Sequence, residues 1–185
     1  MGIINITDDS FYSESRCMDL SVLMAKVDEM VKDGVTILDL GACSSRPGSE
    51  PVGAEVEWER LKPALLAIRK KYPEMPVSID TCWSDVVEKA YDYIGHFIVN
   101  DITSGENDPQ MLPTVGRLGL QYIAMHKRGT PETMQRYTSY DNLLEDILEY
   151  FEFFSKKAEK FGIYNWILDP GFGFSKTIEQ NRTNV

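Results

Sequence analysis

Polar side chains end several apolar runs in this chain, and three of them are suited to binding one ligand. Asp80 ends the run VSID, Asn100 ends FIVN and Asp169 ends WILD. Carboxylates accept two parallel N–H bonds in a fork geometry, and an amide oxygen adds another acceptor. Singly, each residue is better explained as a cap of the following helix or turn. Together, the three favour recognition of a flat heterocycle that is rich in N–H donors.

Cations follow the same runs and predict an anionic group on the ligand. Arg46 lies in the segment CSSRPG, where Pro47 and Gly48 set a turn that would bring hydroxyl and backbone N–H groups to an anion. Three further cations come just after apolar runs: Lys127, Arg128 and Lys176. For each lysine, ordinary surface charge explains the position equally well.

Two histidines and a glycine-rich segment complete the candidates. His126 ends an apolar run and is a candidate for the wall of the site, whereas His96 begins one and is assigned a structural role. Phe172 and Phe174 alternate with glycines, where they would close over an aromatic ligand or pack against the rim of the site. The sequence has no HExxH, P-loop, GxGxxG or Ser-His-Asp order, so we expect no nucleophile from the protein.

The elements that position these residues follow from the apolar pattern. Six runs predict strands at residues 2–7, 36–41, 77–81, 97–101, 122–126 and 166–171, and most are continuously apolar, as in a buried parallel sheet. Apolar residues at helical spacing start at Leu20, Trp58 and Leu144, and two shorter helices are predicted at 84–93 and 110–118. Polar stretches at 8–19, 43–53, 103–109 and 127–140 are predicted to be loops.

Strands that alternate with helices form either an open doubly wound sheet or a (β/α)₈ barrel. An open sheet gathers ligand groups at one switch point, whereas a barrel draws them from most of its strands. Because nearly every run here ends in a polar residue, we predict an α/β fold of the TIM (β/α)₈ barrel type. A complete barrel takes about 250 residues. We therefore expect one domain over residues 1–185 with about six of the eight βα units.

Composition excludes several classes of function. A net charge of −10 repels phosphate backbones, so neither nucleic acid nor an anionic membrane is an expected partner. No run of eighteen apolar residues is present, and we expect no membrane span. Three cysteines without a CxxC pair predict neither a disulfide framework nor a zinc site, and reduced thiols favour the cytoplasm.

Six motifs occur in an order that resembles the dihydropteroate synthase family: GIINITDDSF (2–11), LDLGACSSRPGS (38–49), SIDT (78–81), NDITSG (100–105), MHKRGTP (125–131) and LDPGFGFSKT (168–177). The resemblance implies a TIM barrel that forms a homodimer. It also implies a transferase that joins 6-hydroxymethyl-7,8-dihydropterin pyrophosphate to p-aminobenzoate and releases pyrophosphate.

The resemblance assigns roles to three groups of residues. Catalysis would rest on Asp80, Arg46 and Asn5, and Asn5 would also meet the cofactor Mg²⁺. The pterin would be bound by Asp80, Asn100, Asp169 and Met125. The p-aminobenzoate and pyrophosphate would be bound by Ser45, Arg46, Pro47, Phe174 and Lys176.

The chain departs from the family pattern at several places. Asp8 stands where the family commonly has Pro, and Ala42 and Cys43 stand where it has Gly and Glu. The family's Ser-Arg-Lys and Arg-x-His motifs have no counterpart. Two alternatives stay open: a pterin-binding methyltetrahydrofolate methyltransferase domain, against which SSRPG and GFGFSKT argue, and a non-catalytic, truncated pterin-binding module.

Overall fold

The computed structural model describes residues 1–6, 16–43, 52–129 and 133–183. Within these ranges the strands are β1 (Gly2–Asn5), β2 (Leu38–Gly41), β3 (Val77–Asp80), β4 (Ile98–Asp101), β5 (Gln121–Met125) and β6 (Trp166–Asp169). The α-helices are α1 (Arg16–Lys32), α2 (Ala54–Lys71), α3 (Ser84–Ile94), α4 (Met111–Leu118), α5 (Leu143–Glu159) and α6 (Ile178–Thr183). A short 3-10 helix, Met134–Arg136, precedes α5.

The strands form one sheet in the order β1-β2-β3-β4-β5-β6, and each pair of neighbours is parallel. A doubly wound sheet would reverse its strand order at a switch point, whereas a barrel adds each strand beside the previous one. The sequential order therefore confirms the predicted barrel-type α/β fold with about six βα units.

The two faces of the sheet differ in composition. Leu38, Leu40, Ile79, Val99 and Tyr122 belong to the apolar core that the helices share with the sheet. Because side chains alternate along a strand, their chain neighbours lie on the opposite face. That second face carries polar residues that end strands, such as Asp80, together with apolar residues such as Ile98 and Ile123.

Close helix packing depends on glycine at one point in this layer. A Cβ added at Gly116 in α4 would overlap the carbonyl oxygen of Phe161, which follows α5. A backbone atom cannot move aside as the end of a side chain can. Gly116 is therefore needed for α4 to approach the segment after α5.

The predicted element boundaries need several corrections. The strand predicted at 36–41 begins at Leu38, and the one predicted at 166–171 ends at Asp169. Part of the predicted loop 8–19 is helical, because α1 begins at Arg16. The predicted loop 127–140 contains the 3-10 helix, and Met134 within it is buried.

Apolar side chains are exposed on the first and last strands of the described sheet. Ile3 on β1 is 59% exposed, and Ile167 and Leu168 on β6 are 42% and 51% exposed. By contrast, Ile98 and Ile123 on the central strands are almost fully buried. None of the described helices is both long and apolar enough to cross a bilayer.

Candidate functional site

The carboxyl ends of the first four strands bring polar residues into one row. Asn5 is paired in register with Gly41, Gly41 with Asp80, and Asp80 with Asn100. Because adjacent strands in register point their side chains the same way, Asn5, Asp80 and Asn100 lie on the helix-free face of the sheet. The structure thus brings together three of the residues that the sequence predicts to bind ligand.

Asp80 is placed beside a glycine that leaves it room. A Cβ added at Gly41 would lie 3.2 Å from Oδ2 of Asp80. Burial raises the pKa of Asp80 to about 7, and the negative charges of Asp39, Glu57 and Asp101 act in the same direction. Asp80 therefore titrates near neutrality, and N–H donors or positive charge on a ligand would favour its ionised form.

Asn100 reaches across the intervening strand to Asp39. Its Nδ2 lies 3.3 and 3.4 Å from the two carboxylate oxygens of Asp39, which is 5% exposed. Asp39 lies on β2, and β3 separates it from β4. The contact is therefore formed above β3, inside the curved face of the sheet.

Met125 and Asp169 form the second part of the site. They are partners in the register of β5 and β6 and lie on the helix-free face. Oδ1 of Asp169 accepts a hydrogen bond from the backbone N–H of Gly171 at 2.8 Å, which shapes the turn after β6. Met125 is buried, and its backbone N–H and C=O both pair with Oγ of Ser104.

The loop after β4 is organised around the buried carboxylate of Asp101. This carboxylate accepts hydrogen bonds from the backbone N–H groups of Thr103 and Gly105 and from the hydroxyl of Tyr122. The loop in turn presents Ser104, at a φ of 51°, to the backbone of Met125. Asp101 thereby fixes the loop that joins Asn100 to the end of β5.

Lys176 is turned into the protein, although the sequence suggested a ligand-binding cation. The residue is 4% exposed, and its ammonium lies 3.1 Å from O of Phe174, 3.2 Å from O of Gly171 and 3.0 Å from Nδ1 of His126. Burial lowers the pKa of Lys176 to about 8. A contact with p-aminobenzoate or pyrophosphate stays a prediction, and the ammonium would first have to leave these acceptors.

His126 is buried behind the site rather than exposed in its wall. Its Nε2 lies 3.0 Å from Oδ1 of Asp146, and Asp146 also pairs with Arg128. Burial, followed by the charge of Lys176, lowers the pKa of His126. The ring is therefore a neutral link between the loops after β5 and β6.

Glu57 is a buried carboxyl near the row of polar strand-end residues, and no motif in the sequence indicates its role. It is 0% exposed, and among the described residues neither carboxyl oxygen has a hydrogen-bond partner in range. Burial raises its pKa to about 7, against the lowering influence of the Thr81 hydroxyl and the Arg60 charge. Glu57 precedes Leu61 by four residues and Ala64 by seven, a helical spacing that indicates the buried face of α2.

Asn5 is the candidate contact for Mg²⁺. It is exposed at the end of β1 and offers an amide oxygen, a donor type that Mg²⁺ accepts. Over residues 1–6, 16–43, 52–129 and 133–183, no three His, Cys, Asp or Glu side chains are grouped as a metal site. Because Mg²⁺ is often held by one or two protein ligands together with substrate phosphates, Asn5 fits such a site.

The residues predicted to contact p-aminobenzoate and pyrophosphate are placed only in part. Ser45, Arg46 and Pro47 lie outside the described residues. Phe174 is half-buried in the segment after β6, where its N–H donates to O of Gly171 at 3.0 Å. Phe172 is 48% exposed.

An apolar groove of about 480 Å³ lies at the opposite end of the sheet, lined by residues that include Val35, Tyr72 and Met75. Lys71 in its wall is already paired with Asp28. The groove contacts none of the polar strand-end residues, and we therefore assign the candidate site to the carboxyl ends of the strands.

Comparison with known sequences identifies relatives along the whole chain. The profile of the family described as pterin binding enzyme matches residues 1–185. The folic acid synthesis protein fol1 of Schizosaccharomyces pombe is 40% identical over 184 residues, which are 98% of this chain and 25% of that protein. The dihydropteroate synthase of Synechocystis sp. is 37% identical over 185 residues, which are 99% of this chain and 63% of that enzyme.

Solved structures give the same relationship. A Yersinia pestis dihydropteroate synthase in complex with a sulfonamide drug superposes with a TM-score of 0.88 at 32% identity, over 99% of this chain and 66% of that one. The Xanthomonas albilineans dihydropteroate synthase with 4-aminobenzoic acid gives a TM-score of 0.85 at 28% identity, over 99% of this chain and 64% of that one. The chain thus spans between a quarter and about two thirds of the length of these relatives.

Proposed function

Because the chain belongs to the family of pterin-binding enzymes, we propose that it acts as a dihydropteroate synthase. The reaction joins 6-hydroxymethyl-7,8-dihydropterin pyrophosphate to p-aminobenzoate and yields 7,8-dihydropteroate and pyrophosphate. Relatives named dihydropteroate synthase, at 37% and 38% identity, support this choice within the family.

The observation that carries the proposal is the convergence of acceptors on one face of the sheet. Asp80 and Asn100 are register partners at adjacent strand ends, and Asp169 ends β6 on the same face. A dihydropterin ring carries several N–H groups in one plane, which carboxylate and amide oxygens can accept together. Met125, buried beside Asp169 in the sheet, supplies an apolar surface for the ring.

The chemistry asks the protein mainly for positioning and charge stabilisation. The bond between the exocyclic carbon of the pterin and the pyrophosphate oxygen breaks, and the bonding pair leaves with pyrophosphate. The electron-rich ring holds the positive charge until the amine of p-aminobenzoate forms the new C–N bond and loses a proton to solvent. Ionised Asp80 and Asp169 would stabilise the cationic ring before the amine attacks.

Asn5 would hold Mg²⁺ together with the pyrophosphate at the end of β1. When bound there, Mg²⁺ supplies positive charge that neutralises the departing pyrophosphate. Arg46 and Ser45 are proposed to bind the same anion, with Pro47 and Phe174 lining the p-aminobenzoate pocket. Asn5 and Asp80 are both in register with Gly41, and this register supports an anion site close to Asp80.

The test is pyrophosphate release from 6-hydroxymethyl-7,8-dihydropterin pyrophosphate with Mg²⁺, measured with and without p-aminobenzoate. Release that depends on p-aminobenzoate is expected of the synthase. Pterin binding without release would contradict the proposal and favour the non-catalytic pterin-binding module. Methyl transfer from methyltetrahydrofolate, with no pyrophosphate release, would favour the methyltransferase.

A matched pair of variants makes the assay specific to the site. Asp80→Asn removes the charge at the end of β3 and should lower turnover by about 100-fold or more. Cys43→Ala, just after β2, should leave turnover within about threefold of wild type. Equal rates for the two variants would remove Asp80 from the mechanism.

Three further properties belong to the same proposal. We expect a homodimer, which light scattering of the purified chain tests, and cytoplasmic localisation, because three cysteines without a CxxC pair favour a reducing compartment. We also expect sulfonamides to inhibit by competing with p-aminobenzoate. Raising p-aminobenzoate should then restore the rate, and inhibition that excess p-aminobenzoate cannot relieve would contradict this expectation.

A further inference from the structure

We propose that Asp39 is a positioning residue that fixes the side-chain amide of Asn100 with its oxygen facing the ligand. The inference rests on the proposed function, since it concerns how the same site recognises a pterin. It assigns a role to a buried carboxylate that is not itself among the predicted ligand contacts.

Asn100 contacts Asp39 across an intervening strand of the sheet. Asp39 and Asn100 lie on β2 and β4, two strands apart, yet Nδ2 of Asn100 is 3.3 and 3.4 Å from the two oxygens of Asp39. On the intervening strand β3, Ser78 is in register with Asp39 and Asp80 is in register with Asn100. The contact therefore crosses β3 diagonally, between the levels of Ser78 and Asp80.

The carboxylate of Asp39 restricts the orientation of the Asn100 side-chain amide. An ionised carboxylate only accepts hydrogen bonds, so a stable amide next to it must present its NH₂ group. If the amide were reversed, its oxygen would face two acceptor oxygens. Asp39 therefore selects one of the two orientations of the Asn100 amide, and Oδ1 of Asn100 remains available to a donor on the ligand.

The orientation of the Asn100 amide affects which ligands the site accepts. With Oδ1 of Asn100 facing the ligand, Asp80, Asn100 and Asp169 all present acceptors from one face of the sheet. The site then favours a planar ligand that presents an N–H group to each of these three residues. A ligand that instead presents an acceptor atom to Oδ1 of Asn100 would place two acceptors against each other, which weakens binding. Asp39 acts on selectivity without having to touch the ligand.

Most residues around the contact between Asp39 and Asn100 are buried. Asp39 is 5% exposed, and its charge contributes to raising the pKa of Asp80. Asn100 continues into the loop that Asp101 organises, with Asp101 itself fully buried. Asp39 is therefore held within a buried strand, and Asn100 lies next to an organised loop.

Exchange of the two side chains tests the orientation directly. Asp39→Asn lets the Asn100 amide turn over, and Asn100→Asp sets two carboxylates against each other. In the double variant Asp39→Asn/Asn100→Asp, the new amide donates to the new carboxylate, and that carboxylate still offers an acceptor to the ligand. The probe is 6-hydroxymethyl-7,8-dihydropterin pyrophosphate with Mg²⁺, titrated by calorimetry, and Asp92→Asn on the exposed side of α3 is the control.

We expect Asp39→Asn to raise the Kd for the pterin by about tenfold. We expect the double variant to bind within about threefold of wild type and more tightly than either single variant. The KM for p-aminobenzoate and the melting temperature of Asp39→Asn should change little. An unchanged Kd in Asp39→Asn, or a double variant no better than the weaker single one, overturns the proposal.

A second measurement does not depend on pterin binding. The side-chain amide of Asn100, assigned in a ¹⁵N spectrum by its loss in Asn100→Asp, should shift in Asp39→Asn and stay unchanged in Asp92→Asn. If wild type binds no pterin, the proposed function fails, and this resonance still decides whether Asp39 holds Asn100. An Asn100 amide that does not respond to Asp39→Asn overturns the positioning role.

Discussion

Lys176 donates a hydrogen bond from its buried ammonium to Nδ1 of His126 across 3.0 Å. An ammonium can only donate, so Nδ1 must be unprotonated and the ring proton must lie on Nε2. Nε2 in turn faces Oδ1 of Asp146 at 3.0 Å. The pair therefore fixes the tautomer of His126 and joins the loops that follow β5 and β6.

Lys176→Met tests this link, because Met keeps the length of the side chain and removes the donor. The carbonyls of Gly171 and Phe174 and the ring of His126 would lose their common partner. We expect the free energy of unfolding to fall by about 2 kcal/mol in urea denaturation. Lys156→Met, on the exposed side of α5, should change it by less than about 0.5 kcal/mol. Equal effects would mean that Lys176 does not hold the loops.

Glu57→Gln tests the burial of a carboxyl that has no hydrogen-bond partner within range in the described part of the chain, although the Thr81 hydroxyl and the Arg60 charge lower its pKa. The folded-state pKa of about 7 lies above the ordinary 4.5, so between these values the folded protein retains a proton that the unfolded chain has released. The free energy of unfolding of wild type should therefore fall as pH rises through this window. The amide of the variant cannot titrate, so the stability of Glu57→Gln relative to wild type should increase by about 2 kcal/mol between pH 5 and pH 8.

The matched control for this prediction is Glu59→Gln, at an exposed position on the same helix. Its stability should follow that of wild type at every pH. Asp80 also titrates near neutrality, and losing the Glu57 charge lowers the pKa of Asp80 in Glu57→Gln, which changes the relative stability of that variant in the same direction. Parallel pH curves for wild type and Glu57→Gln would show that Glu57 is ionised in the folded protein.

Gly116→Ala tests the close approach of α4 to Phe161. The added Cβ would overlap a backbone carbonyl oxygen, so the helix must shift, and we expect a loss of about 3 kcal/mol in the free energy of unfolding. Gly34→Ala separates this effect from backbone strain, because Gly34 has a φ of 88° and open space around its Cα. That control should cost about 1 kcal/mol. A smaller loss for Gly116→Ala than for Gly34→Ala would contradict the packing argument.

The pH dependence of the proposed reaction should report on Asp80. Its pKa is raised to about 7, and the ionised form is the one that stabilises a cationic ring. We therefore expect kcat/KM for the pterin substrate to rise with pH through about 7 and then level off. Asp80→Asn should remove this rise, and Glu57→Gln should move it to lower pH because one neighbouring negative charge is lost. A rise that persists in Asp80→Asn would assign it to another group.

The fold was predictable because its signals are local and repeated. Continuous apolar runs such as Val77 to Ile79 predict buried parallel strands, and polar residues at nearly every run end favour a barrel. The ends of the strands were less predictable. An apolar residue such as Ile37 is equally compatible with the first position of a strand and with the residue just before it. The start of α1 was missed because its apolar spacing becomes visible only from Leu20 onward.

The candidate site was predictable only in part. The alignment of Asp80 with Asn100 follows from the parallel register, which places successive strand ends at one edge. The direction of a long side chain does not follow from the sequence, and Lys176 turns inward because loop carbonyls surround its ammonium. Asp39 and Asn100 are 61 positions apart in the sequence and lie on either side of β3, so no local sequence pattern predicts their hydrogen bond.

The strand order has a consequence for how the chain acquires its structure. Each strand lies beside the one that precedes it in the chain, and α1 packs on α2, α2 on α3 and α3 on α4. Each new strand can therefore pair with a strand that is close to it in the chain. This keeps the entropy cost of loop closure small at each step. Folding can proceed from the amino end while the ribosome is still adding residues, with each new strand and helix docking on a surface that is already in place.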